Sequence, residues 1–541
     1  MQIAIAQLNY HVGNFEENSS KIIAAIQKAE REGADLIVFS ELAICGYPPR
    51  DFLEFEEFIN ECAKHIEKIA GHCKNIAAIV GAPSKNSAVR GKKLFNSAYL
   101  LSDGKIAAVV HKTLLPTYDI FDEYRYFEPN NAFKIIEFKG EKIALTICED
   151  IWNITEKMYE FDPMEELHKL QPTLMINIAA SPFSHAQYEK RQATLMANFS
   201  KYQLPLVYCN HSGAQTELIF DGASLFINKN GCITAELKSF DEDFKIINSH
   251  DNSTISIANA QHKTAAIHSA LVLGIKDYFK KLGFKKALLG LSGGIDSAVV
   301  FALAVEALGA ENCLGILMPS QFSSQHSIAD AEALASTLGA KTHTIAIEPL
   351  FAEFSQQLSP IFMDLPFGLA EENLQARIRG TLLMAVSNKF GHILLNTSNK
   401  SEAAVGYGTL YGDMNGGLSI LGDVYKTEVY ELANHINRNN EIIPKNSITK
   451  APSAELRPDQ KDSDSLPDYD ILDRILLQYI EMRHGPKAII EKGYNASVVN
   501  KIIQMVNATE YKRHQSPPIL RVSQKAFGSG RRMPIAAKYL Q

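Results

Sequence analysis

The sequence contains few cysteines, and their spacing matches neither a zinc site nor a disulfide framework. Its 541 residues include seven cysteines, an odd number scattered along the chain without a Cys-x-x-Cys pair. Closely spaced, paired cysteines are typical of zinc sites and of small disulfide-stapled domains. We therefore expect neither kind of site.

An excess of positive charge is also missing. Lys and Arg number 54 against 61 Asp and Glu, which gives a formal net charge of −7. Proteins that bind the phosphate backbone of nucleic acids usually present a basic surface. We therefore expect no nucleic-acid partner.

Long uninterrupted apolar runs are absent as well. The most apolar stretch, residues 287–310, is interrupted by Ser292, Gly293, Gly294 and Asp296, whereas a membrane-spanning helix needs about 20 consecutive apolar residues. The segment MQIAIAQLNYHVGNF has neither the basic start nor the long apolar core of a signal peptide. We expect no membrane helix and a cytoplasmic location.

The sequence does contain many short apolar runs that alternate with helical stretches, which is typical of α/β folds. A helix is predicted at residues 21–32, and an Asn-Gly hairpin turn at 230–231. Strands are predicted at 35–40, 76–82, 105–111, 142–148, 173–179 and 204–210. The polar, aperiodic residues 248–261 predict a boundary between two domains, 1–255 and 262–541.

The second predicted domain begins with a helical stretch near residues 262–282. A strand at 286–291, the loop SGGIDS and a helix at 298–308 follow. The charged, proline-containing segment 455–470 predicts an exposed loop or lid.

Three reactive side chains each follow a predicted strand of the first domain. They are Glu41, Lys112 and Cys148. A cation beside a thiol favours the thiolate, a carboxylate can accept the thiol proton, and a lysine can stabilise an oxyanion. Taken singly, a strand cysteine is more often a core residue and a strand-end charge more often an exposed one. The three residues are therefore a candidate only as a set.

The segments around these residues resemble the Glu-Lys-Cys signature of the nitrilase, or carbon–nitrogen hydrolase, superfamily. The segments are FSELAICGYPPRDF (39–52), HKTLLPTYDIFDEYRYF (111–127) and CEDIW (148–152). The resemblance implies an αββα sandwich with Glu41 as general base, Lys112 as stabiliser of the tetrahedral intermediate, and Cys148 as the nucleophile that forms a thioester.

For the branch of this superfamily that uses glutamine, the resemblance also implies which residues contact the amide substrate. They are Tyr118, Ser181 and the residue at position 187, where the family pattern has a basic residue and this sequence has Gln187. Lys190 or Arg191 lies close enough in sequence to supply the charge instead. The only tryptophan, Trp152, is either a wall of the amide pocket or a packing residue.

A glycine-containing loop between a predicted strand and helix of the second domain suits phosphate binding. In SGGIDS (292–297), the glycines permit close backbone approach, and N–H groups at a helix start favour an anion. The loop is not the Walker pattern, because no lysine precedes Ser297. A plain Gly-Gly turn with a capping Ser or Asp is the alternative. The GYGTLYG segment contains G-x-G only, so we reject a Rossmann site.

The motif LSGGIDS resembles the pyrophosphate loop of ATP pyrophosphatases, which adenylate a substrate. Downstream segments resemble the NAD synthetase family, and both halves together are similar to glutamine-dependent members of that family. These segments are NLQARIRG (373–380), NTSNKSEAAVGYGTLYGDMNGG (396–417), GDVYKTEVY (422–430), PSAELRP (452–458) and YKRHQSPP (511–518). The implied second fold is a doubly wound parallel-sheet ATP pyrophosphatase domain.

The family resemblance implies three sets of residues in the second domain. ATP would contact Gly290, Leu291, Ser292, Gly293, Gly294, Ile295, Asp296, Ser297, Thr397, Lys426 and Ser453. Deamido-NAD⁺ would contact Asn373, Arg377, Glu402 and Lys512. Mg²⁺, as the cofactor that accompanies ATP, would be held by Asp296 and Glu402, since hard carboxylate oxygens suit that ion.

The resemblance predicts an enzyme that hydrolyses glutamine and passes ammonia to adenylated deamido-NAD⁺, giving NAD⁺, glutamate, AMP and pyrophosphate. It also predicts small-molecule partners only, and a homo-oligomer. Three alternatives are a different amidotransferase with a pyrophosphate loop, an amidase with a degenerate nucleotide domain acting as a sensor, and a tRNA-thiolating enzyme. The net charge and the missing Cys-x-x-Cys count against the last.

Overall fold

The apolar runs of the first half form two β-sheets in the computed structural model. The structure describes residues 1–88, 90–256, 262–363, 365–453, 455–458 and 460–540. The chain divides into two units, Met1–Gln261 and His262–Gln541. Residues 257–261 of the predicted boundary segment lie outside the described residues.

Two six-stranded sheets and a separate hairpin make up the strands of the first unit. The strands are β1 (Gln2–Gln7), β2 (Leu36–Val38), β3 (Ala77–Lys85), β4 (Leu94–Ser102), β5 (Lys105–His111), β6 (Ile136–Phe138), β7 (Glu141–Ile147), β8 (Leu174–Ala179), β9 (Leu206–Asn210), β10 (Ser212–Gln215), β11 (Leu218–Asp221), β12 (Leu225–Ile227), β13 (Ile233–Glu236) and β14 (Asp243–Asn248). One sheet has the order β14-β1-β2-β3-β4-β5 and the other β13-β12-β9-β8-β7-β6. Strands β10 and β11 pair with each other in a separate two-stranded sheet.

Helices cover the sheets of this unit. They are α1 (Phe15–Arg31), α2 (Glu56–Ala70), α3 (Asn153–Glu156), α4 (Pro163–His168) and α5 (Gln187–Tyr202). Helix α1 begins earlier than predicted because the Asn14 side chain caps it by accepting the backbone N–H of Glu17. The predicted hairpin is confirmed, since β12 and β13 pair antiparallel around Gly231, whose φ is +77°.

Apolar side chains of the two sheets meet in one buried core. Ile5 and Val38 from the first sheet and Leu145 from the second belong to this core, whereas Ile26 belongs to another core that the first sheet forms with α1 and α2. The Cys209 thiol reaches across the sheets to the carbonyl of Val38, at 3.4 Å. The predicted αββα sandwich is confirmed.

A five-stranded parallel sheet organises the second unit. Its strands are β15 (Lys286–Gly290), β16 (Cys313–Leu317), β17 (Lys341–Thr344), β18 (His392–Asn396) and β19 (Leu418–Ser419), in the order β17-β16-β15-β18-β19. Its helices are α6 (Lys263–Leu282), α7 (Ile295–Leu308), α8 (Gln325–Leu338), α9 (Glu348–Phe362), α10 (Leu369–Phe390), α11 (Lys400–Val405), α12 (Lys426–Ile436), α13 (Lys445–Thr449), α14 (Tyr469–Leu476), α15 (Pro486–Glu491), α16 (Ala496–Ala508) and α17 (Glu510–Arg513).

The strand order reverses direction at β15, which confirms the doubly wound fold. Helix α7 connects β15 to β16 on one side, whereas α9 and α10 lead back from β17 to β18 on the other side of β15. Right-handed crossovers in opposite directions place their helices on opposite faces of a sheet. The loops after β15 and β18 therefore diverge and leave a crevice at the carboxyl ends of the strands, where α/β proteins bind ligands.

The segment 455–470 differs from the exposed loop predicted for it. Asp462 is buried, and its carboxylate accepts hydrogen bonds from the hydroxyls of Tyr407 (3.2 Å) and Tyr469 (2.9 Å). Helix α14 begins within this segment at Tyr469. Among the residues that the structure describes, no helix combines the length and apolar character needed to cross a membrane.

Candidate active sites

The three catalytic candidates of the first unit follow β2, β5 and β7, as predicted, and two of them are in direct contact. The Lys112 ammonium lies 2.7 Å from Glu41 Oε1 and 2.8 Å from Glu123 Oε2. All three side chains are buried. Glu123 was missed by the sequence analysis, although it lies within the motif that identified Lys112.

This charge cluster keeps the lysine protonated and the carboxylate of Glu41 fixed. Burial alone would lower the pKa of Lys112, but the carboxylates of Glu123 and Glu41 raise that pKa well above its usual value. Glu41 also accepts hydrogen bonds from the Asn96 amide at 2.7 Å and the Ala180 backbone N–H at 3.0 Å. The cluster therefore holds one cation between two oriented carboxylates.

Cys148 lies at a sharp turn between β7 and a short 3₁₀ helix, Cys148–Ile151. Its φ of +44° is strained for a residue with a side chain. Asp150 stabilises the turn by accepting the backbone N–H groups of Ile147 (3.0 Å), Thr113 (2.9 Å) and Leu114 (2.8 Å). Thr113 and Leu114 directly follow Lys112 in sequence, so Asp150 connects the turn that holds Cys148 to the segment that holds Lys112.

The Cys148 thiol is protonated in this environment, contrary to the expectation from a neighbouring cation. Burial raises the pKa of Cys148 well above its usual value, the Glu41 carboxylate raises it further, and Lys112 only partly opposes them. The thiol therefore needs a base at the moment of attack, and Glu41 is the carboxylate suited to that role.

Tyr118, a predicted glutamine contact, belongs to a small network beside the nucleophile. The Tyr118 hydroxyl donates to Glu149 at 3.0 Å, and the Tyr159 hydroxyl donates to the same carboxylate at 3.1 Å. Burial raises the pKa of Glu149 to about 7. Glu149 follows Cys148 directly and was not singled out from the sequence.

The other predicted glutamine contacts lie on neighbouring elements. The backbone N–H of Ser181 donates to Asn210 Oδ1 at 2.9 Å, just beyond β8. Gln187 is the first residue of α5 and is half-buried. Trp152 packs, partly buried, against the core between the sheets, as the packing alternative predicted.

Arg191 is already paired and so is not the substitute cation considered for Gln187. Its guanidinium makes a two-pronged ion pair with Asp221, at 2.9 and 2.5 Å, and both side chains are buried. Lys190 is exposed on the same helix. The carboxylate partner explains why Arg191 can be buried as a charged group.

Changing Glu149 to glutamine should alter how stability of the first unit depends on pH. The pKa of Glu149 is higher in the folded protein than in the unfolded chain, so this carboxyl binds its proton more tightly when the protein is folded. The free energy of unfolding of the wild type therefore falls as pH rises through about 7. Between pH 5 and 8, the free energy of unfolding of the wild type should fall by about 2–3 kcal/mol relative to that of Glu149→Gln. Urea unfolding followed by fluorescence of Trp152, the only tryptophan, measures this difference.

The exposed Glu137→Gln serves as the matched control, and its stability should follow wild type at both pH values. If Glu149→Gln and wild type keep a constant difference from pH 5 to 8, the raised pKa is wrong.

The second unit contains a cleft of about 300 Å³ at the carboxyl ends of its strands. Except for Gly293, every predicted ATP contact lines it. These lining residues are Gly290, Leu291, Ser292, Gly294, Ile295, Asp296, Ser297, Thr397, Lys426 and Ser453. Within the loop, the backbone N–H of Gly294 donates to Ser292 Oγ at 3.2 Å, and Ser297 Oγ donates to the Gly294 carbonyl at 3.0 Å.

Two further cationic side chains, which the sequence analysis did not identify, line the cleft. Arg379 donates from Nε to the Met318 carbonyl at 3.1 Å, and burial lowers its pKa to about 10. Lys450 lies 2.6 Å from Glu455. With Lys426, these side chains place three cations in a cleft whose lining also contains carboxylates, among them Asp296 and Glu402. The cations are groups that can pair with a polyphosphate.

Asp296 and Glu402, the predicted metal ligands, both line the cleft and repel each other. Asp296 pairs with Lys426 and accepts a hydrogen bond from the Asn399 amide at 2.9 Å. Burial, followed by the Asp296 charge, raises the pKa of Glu402 to about 8. A divalent cation would relieve this repulsion.

The donor set fits Mg²⁺ better than a metal caged by protein alone. Among the described residues, no group of three or more His, Cys, Asp or Glu side chains is arranged to hold a metal. Mg²⁺ commonly takes one or two carboxylates and completes its shell with water and phosphate oxygens. The two carboxylates beside the phosphate loop match that pattern.

The remaining predicted contacts converge on the segment 406–410. Asn373 accepts a hydrogen bond from Thr409 at 2.7 Å, Arg377 donates to the Leu410 carbonyl at 3.2 Å, and Lys512 donates to the Gly406 and Gly408 carbonyls at 2.8 Å each. None of the three lines the cleft; Lys512 instead lines an adjoining small cavity that shares Glu402 with it. Glu402 therefore lies between the cleft and this group.

A buried charge network surrounds Lys400, which lies on the same helix as Glu402. The Lys400 ammonium lies 2.8 Å from Glu481, 2.9 Å from Asp423 and 2.7 Å from the hydroxyl of Ser523, with the Tyr425 ring centre 4.6 Å away. Asp423 also accepts the backbone N–H of Ser523 at 2.7 Å. The network joins the helix that carries Glu402 to the segment around residue 523.

Family models of known proteins match both halves of the chain. A family model described as carbon–nitrogen hydrolase matches residues 2–268, and one described as NAD synthase matches residues 267–516. Glutamine-dependent NAD(+) synthetases from Synechocystis sp. and Acinetobacter baylyi are 48% and 41% identical, each over 99% of this chain and over 99% and 98% of their own.

Two solved structures also align along the chain. The glutamine-dependent NAD+ synthetase of Acinetobacter baumannii in complex with adenosine diphosphate is 38% identical, with a TM-score of 0.78, and covers 99% of this chain and 98% of its own. The enzyme of the same description from Cytophaga hutchinsonii has a TM-score of 0.82 over the same shares, but at 21% identity it supports the fold alone.

Proposed function

The chain belongs to the glutamine-dependent NAD(+) synthetases, and from this premise we propose how its residues divide the reaction. Residues 1–255 release ammonia from glutamine, and residues 262–541 use it to convert deamido-NAD⁺ to NAD⁺ at the expense of ATP. The observation that carries this proposal is the buried Glu41–Lys112 pair beside Cys148, in a chain whose second unit has a cleft lined by the glycine-containing loop.

In the first unit, Glu41 takes the thiol proton as Cys148 Sγ attacks the side-chain amide carbon of glutamine. The Lys112 ammonium stabilises the oxyanion of the tetrahedral intermediate. The proton returns to the amide nitrogen, the carbon–nitrogen bond breaks, and ammonia leaves a glutamyl thioester. Glu41 then activates water, which releases glutamate and restores the thiol. Tyr118, Ser181 and Gln187 orient glutamine.

In the second unit, the nicotinate carboxylate of deamido-NAD⁺ attacks the α-phosphorus of ATP and pyrophosphate leaves. Ammonia then attacks the activated carbonyl and AMP leaves, which gives the amide of NAD⁺. The loop 290–297, Thr397, Lys426 and Ser453 hold the nucleotide, and Asn373, Arg377, Glu402 and Lys512 hold deamido-NAD⁺. Asp296 and Glu402 would hold Mg²⁺, which neutralises phosphate charge when bound.

Ammonia must reach the second site unprotonated, because ammonium has no lone pair for attack. We infer that it travels through a passage shielded from water.

The partners of the protein are the small molecules glutamine, ATP and deamido-NAD⁺, and nucleic acid is not among them. All seven thiols are free, as suits a reducing cytoplasm where ATP and glutamine are both available.

Product analysis tests the proposed function. Incubation of the protein with ATP, Mg²⁺ and deamido-NAD⁺ should give NAD⁺, AMP and pyrophosphate with either glutamine or ammonium chloride, and glutamate only with glutamine. Glutamate without NAD⁺ under these conditions would indicate the amidase-sensor alternative.

We also propose a homo-oligomer that forms through the α9 face of the second unit. No residue of this fully described helix is buried. Ile361 of this helix is 71% exposed, and the chain beyond the helix exposes Met363 (78%), Leu365 (73%) and Leu369 (72%). Apolar patches of this kind usually mark interfaces, and a second copy supplies a matching apolar face.

Analytical ultracentrifugation checks this interface. Wild type should sediment as a multiple of 59.9 kDa, and Ile361→Glu combined with Leu369→Glu should lower that mass. The control Phe55→Glu changes an exposed aromatic of the first unit and should leave the mass unaltered. A wild-type monomer contradicts the proposal.

A further inference from the structure

The phosphate loop contains a peptide unit that lies between two glycines. Gly293 and Gly294 are consecutive, so neither side of their shared peptide carries a Cβ. Glycine adopts positive and negative φ with similar ease. Rotating this peptide by half a turn therefore meets little steric resistance, and the hydrogen bonds that it makes select one orientation.

Ser447 of helix α13 is the group in contact with that peptide. Its hydroxyl donates to the Gly293 carbonyl at 3.1 Å, across 154 residues of sequence, and its side chain is buried. Gly293 has φ of +76°, and a Cβ there would lie 2.2 Å from the Ser327 carbonyl oxygen. The backbone is thus closely packed at Gly293, and the carbonyl is directed to Ser447.

Because a trans peptide is planar, its C=O and N–H point in opposite directions. With the Gly293 carbonyl on Ser447, the Gly294 N–H points the other way and donates to Ser292 Oγ. Ser292, Gly294 and Ser447 itself line the cleft, whereas Gly293 does not. The observed orientation therefore presents a donor to the anion site, and the reverse orientation would present a carbonyl oxygen.

We propose that Ser447 is a positioning residue that fixes the Gly293–Gly294 peptide with its N–H toward the polyphosphate of ATP. The proposal rests on the proposed function, since it assumes that the loop binds ATP. Without the Ser447 hydroxyl, the peptide populates both orientations. The reversed one repels phosphate, so nucleotide affinity falls.

The test compares Ser447→Ala with wild type in ammonium-driven and glutamine-driven synthesis. Ser447→Ala should raise the KM for ATP about tenfold with both nitrogen donors and weaken ADP binding, measured by calorimetry, to a similar degree. Glutamine hydrolysis measured without nucleotide should be unchanged. Ser447→Thr, which keeps the hydroxyl, should restore the KM. Thr449→Ala removes a hydroxyl of the same helix that donates to the Lys445 carbonyl, and this variant should match wild type.

A second variant separates peptide orientation from general damage to the cleft. Gly294 has φ of −83°, which alanine adopts, whereas the reversed peptide requires positive φ at this residue. A Cβ at Gly294 meets Ser292 Oγ at 3.2 Å, the movable end of a side chain. Adding Gly294→Ala to Ser447→Ala should therefore restore ADP binding toward that of Gly294→Ala alone.

Two results overturn the proposal: an unchanged KM and ADP affinity in Ser447→Ala, or a double variant as weak as Ser447→Ala. Both results compare the KM for ATP or the affinity for ADP between variants of the same protein. Failure of wild type to make NAD⁺ would instead count against the proposed function, and ADP calorimetry would still test the peptide.

Discussion

Replacing Cys148 with alanine should abolish NAD⁺ synthesis from glutamine, by about 10⁴-fold or more, as expected when a covalent nucleophile is lost. Synthesis from ammonium chloride should persist, because every predicted ATP contact lies in the second unit. Removing the thiol takes out neither the Glu41–Lys112–Glu123 cluster nor the Asp150 contacts that hold the turn. The first unit should therefore stay folded.

The measurement is NAD⁺ formation with each nitrogen donor at saturating ATP. Cys232→Ala is the matched control, since Cys232 is a half-buried thiol of the same unit outside the charge cluster. It should behave as wild type with both donors. An equal loss of both activities in Cys148→Ala would mean that the two reactions do not use separate sites.

Replacing Asp296 with alanine should remove NAD⁺ synthesis with either donor, by about 10²–10³-fold, while some glutamine hydrolysis remains. Asp296 contacts both Lys426 and Asn399, so its loss frees a cation and leaves Glu402 as the only predicted carboxylate ligand. The remaining carboxylate should hold Mg²⁺ weakly, and raising the Mg²⁺ concentration should recover part of the activity.

Pyrophosphate release with deamido-NAD⁺ present measures the effect directly. The exposed Asp470→Ala, on helix α14, serves as the control and should retain full activity. Normal pyrophosphate release by Asp296→Ala would exclude Asp296 from metal and phosphate binding.

Features that depend on neighbouring residues in sequence were predicted well. The strand expected at 76–82 is β3, Ala77–Lys85, and the phosphate loop does join β15 to α7. Apolar runs and glycine pairs are local signals, so the sequence alone carries them. Family resemblance then identified Glu41, Lys112 and Cys148 together, which their spacing alone could not do.

Features that depend on contacts across the fold were missed or misjudged. Ser447 reaches Gly293 across 154 residues, and Asp150 reaches Thr113 across 37. The pairing of Arg191 with Asp221 likewise removed a candidate that its position beside Gln187 had suggested. Burial and the Glu41 carboxylate outweighed the lowering of the Cys148 pKa that was expected from Lys112. No periodicity or composition signal records such contacts, because they arise only when distant segments pack.

The strand and charge pairings also set the order in which the two units mature on the ribosome. The first unit closes when β14 pairs with β1, at residue 248, whereas the Lys400 network needs Ser523. At about 5–20 residues per second, translating the intervening roughly 275 residues takes about 14–55 s. A nascent chain thus contains every residue of the Cys148 site well before the Lys400 network of the second unit can form.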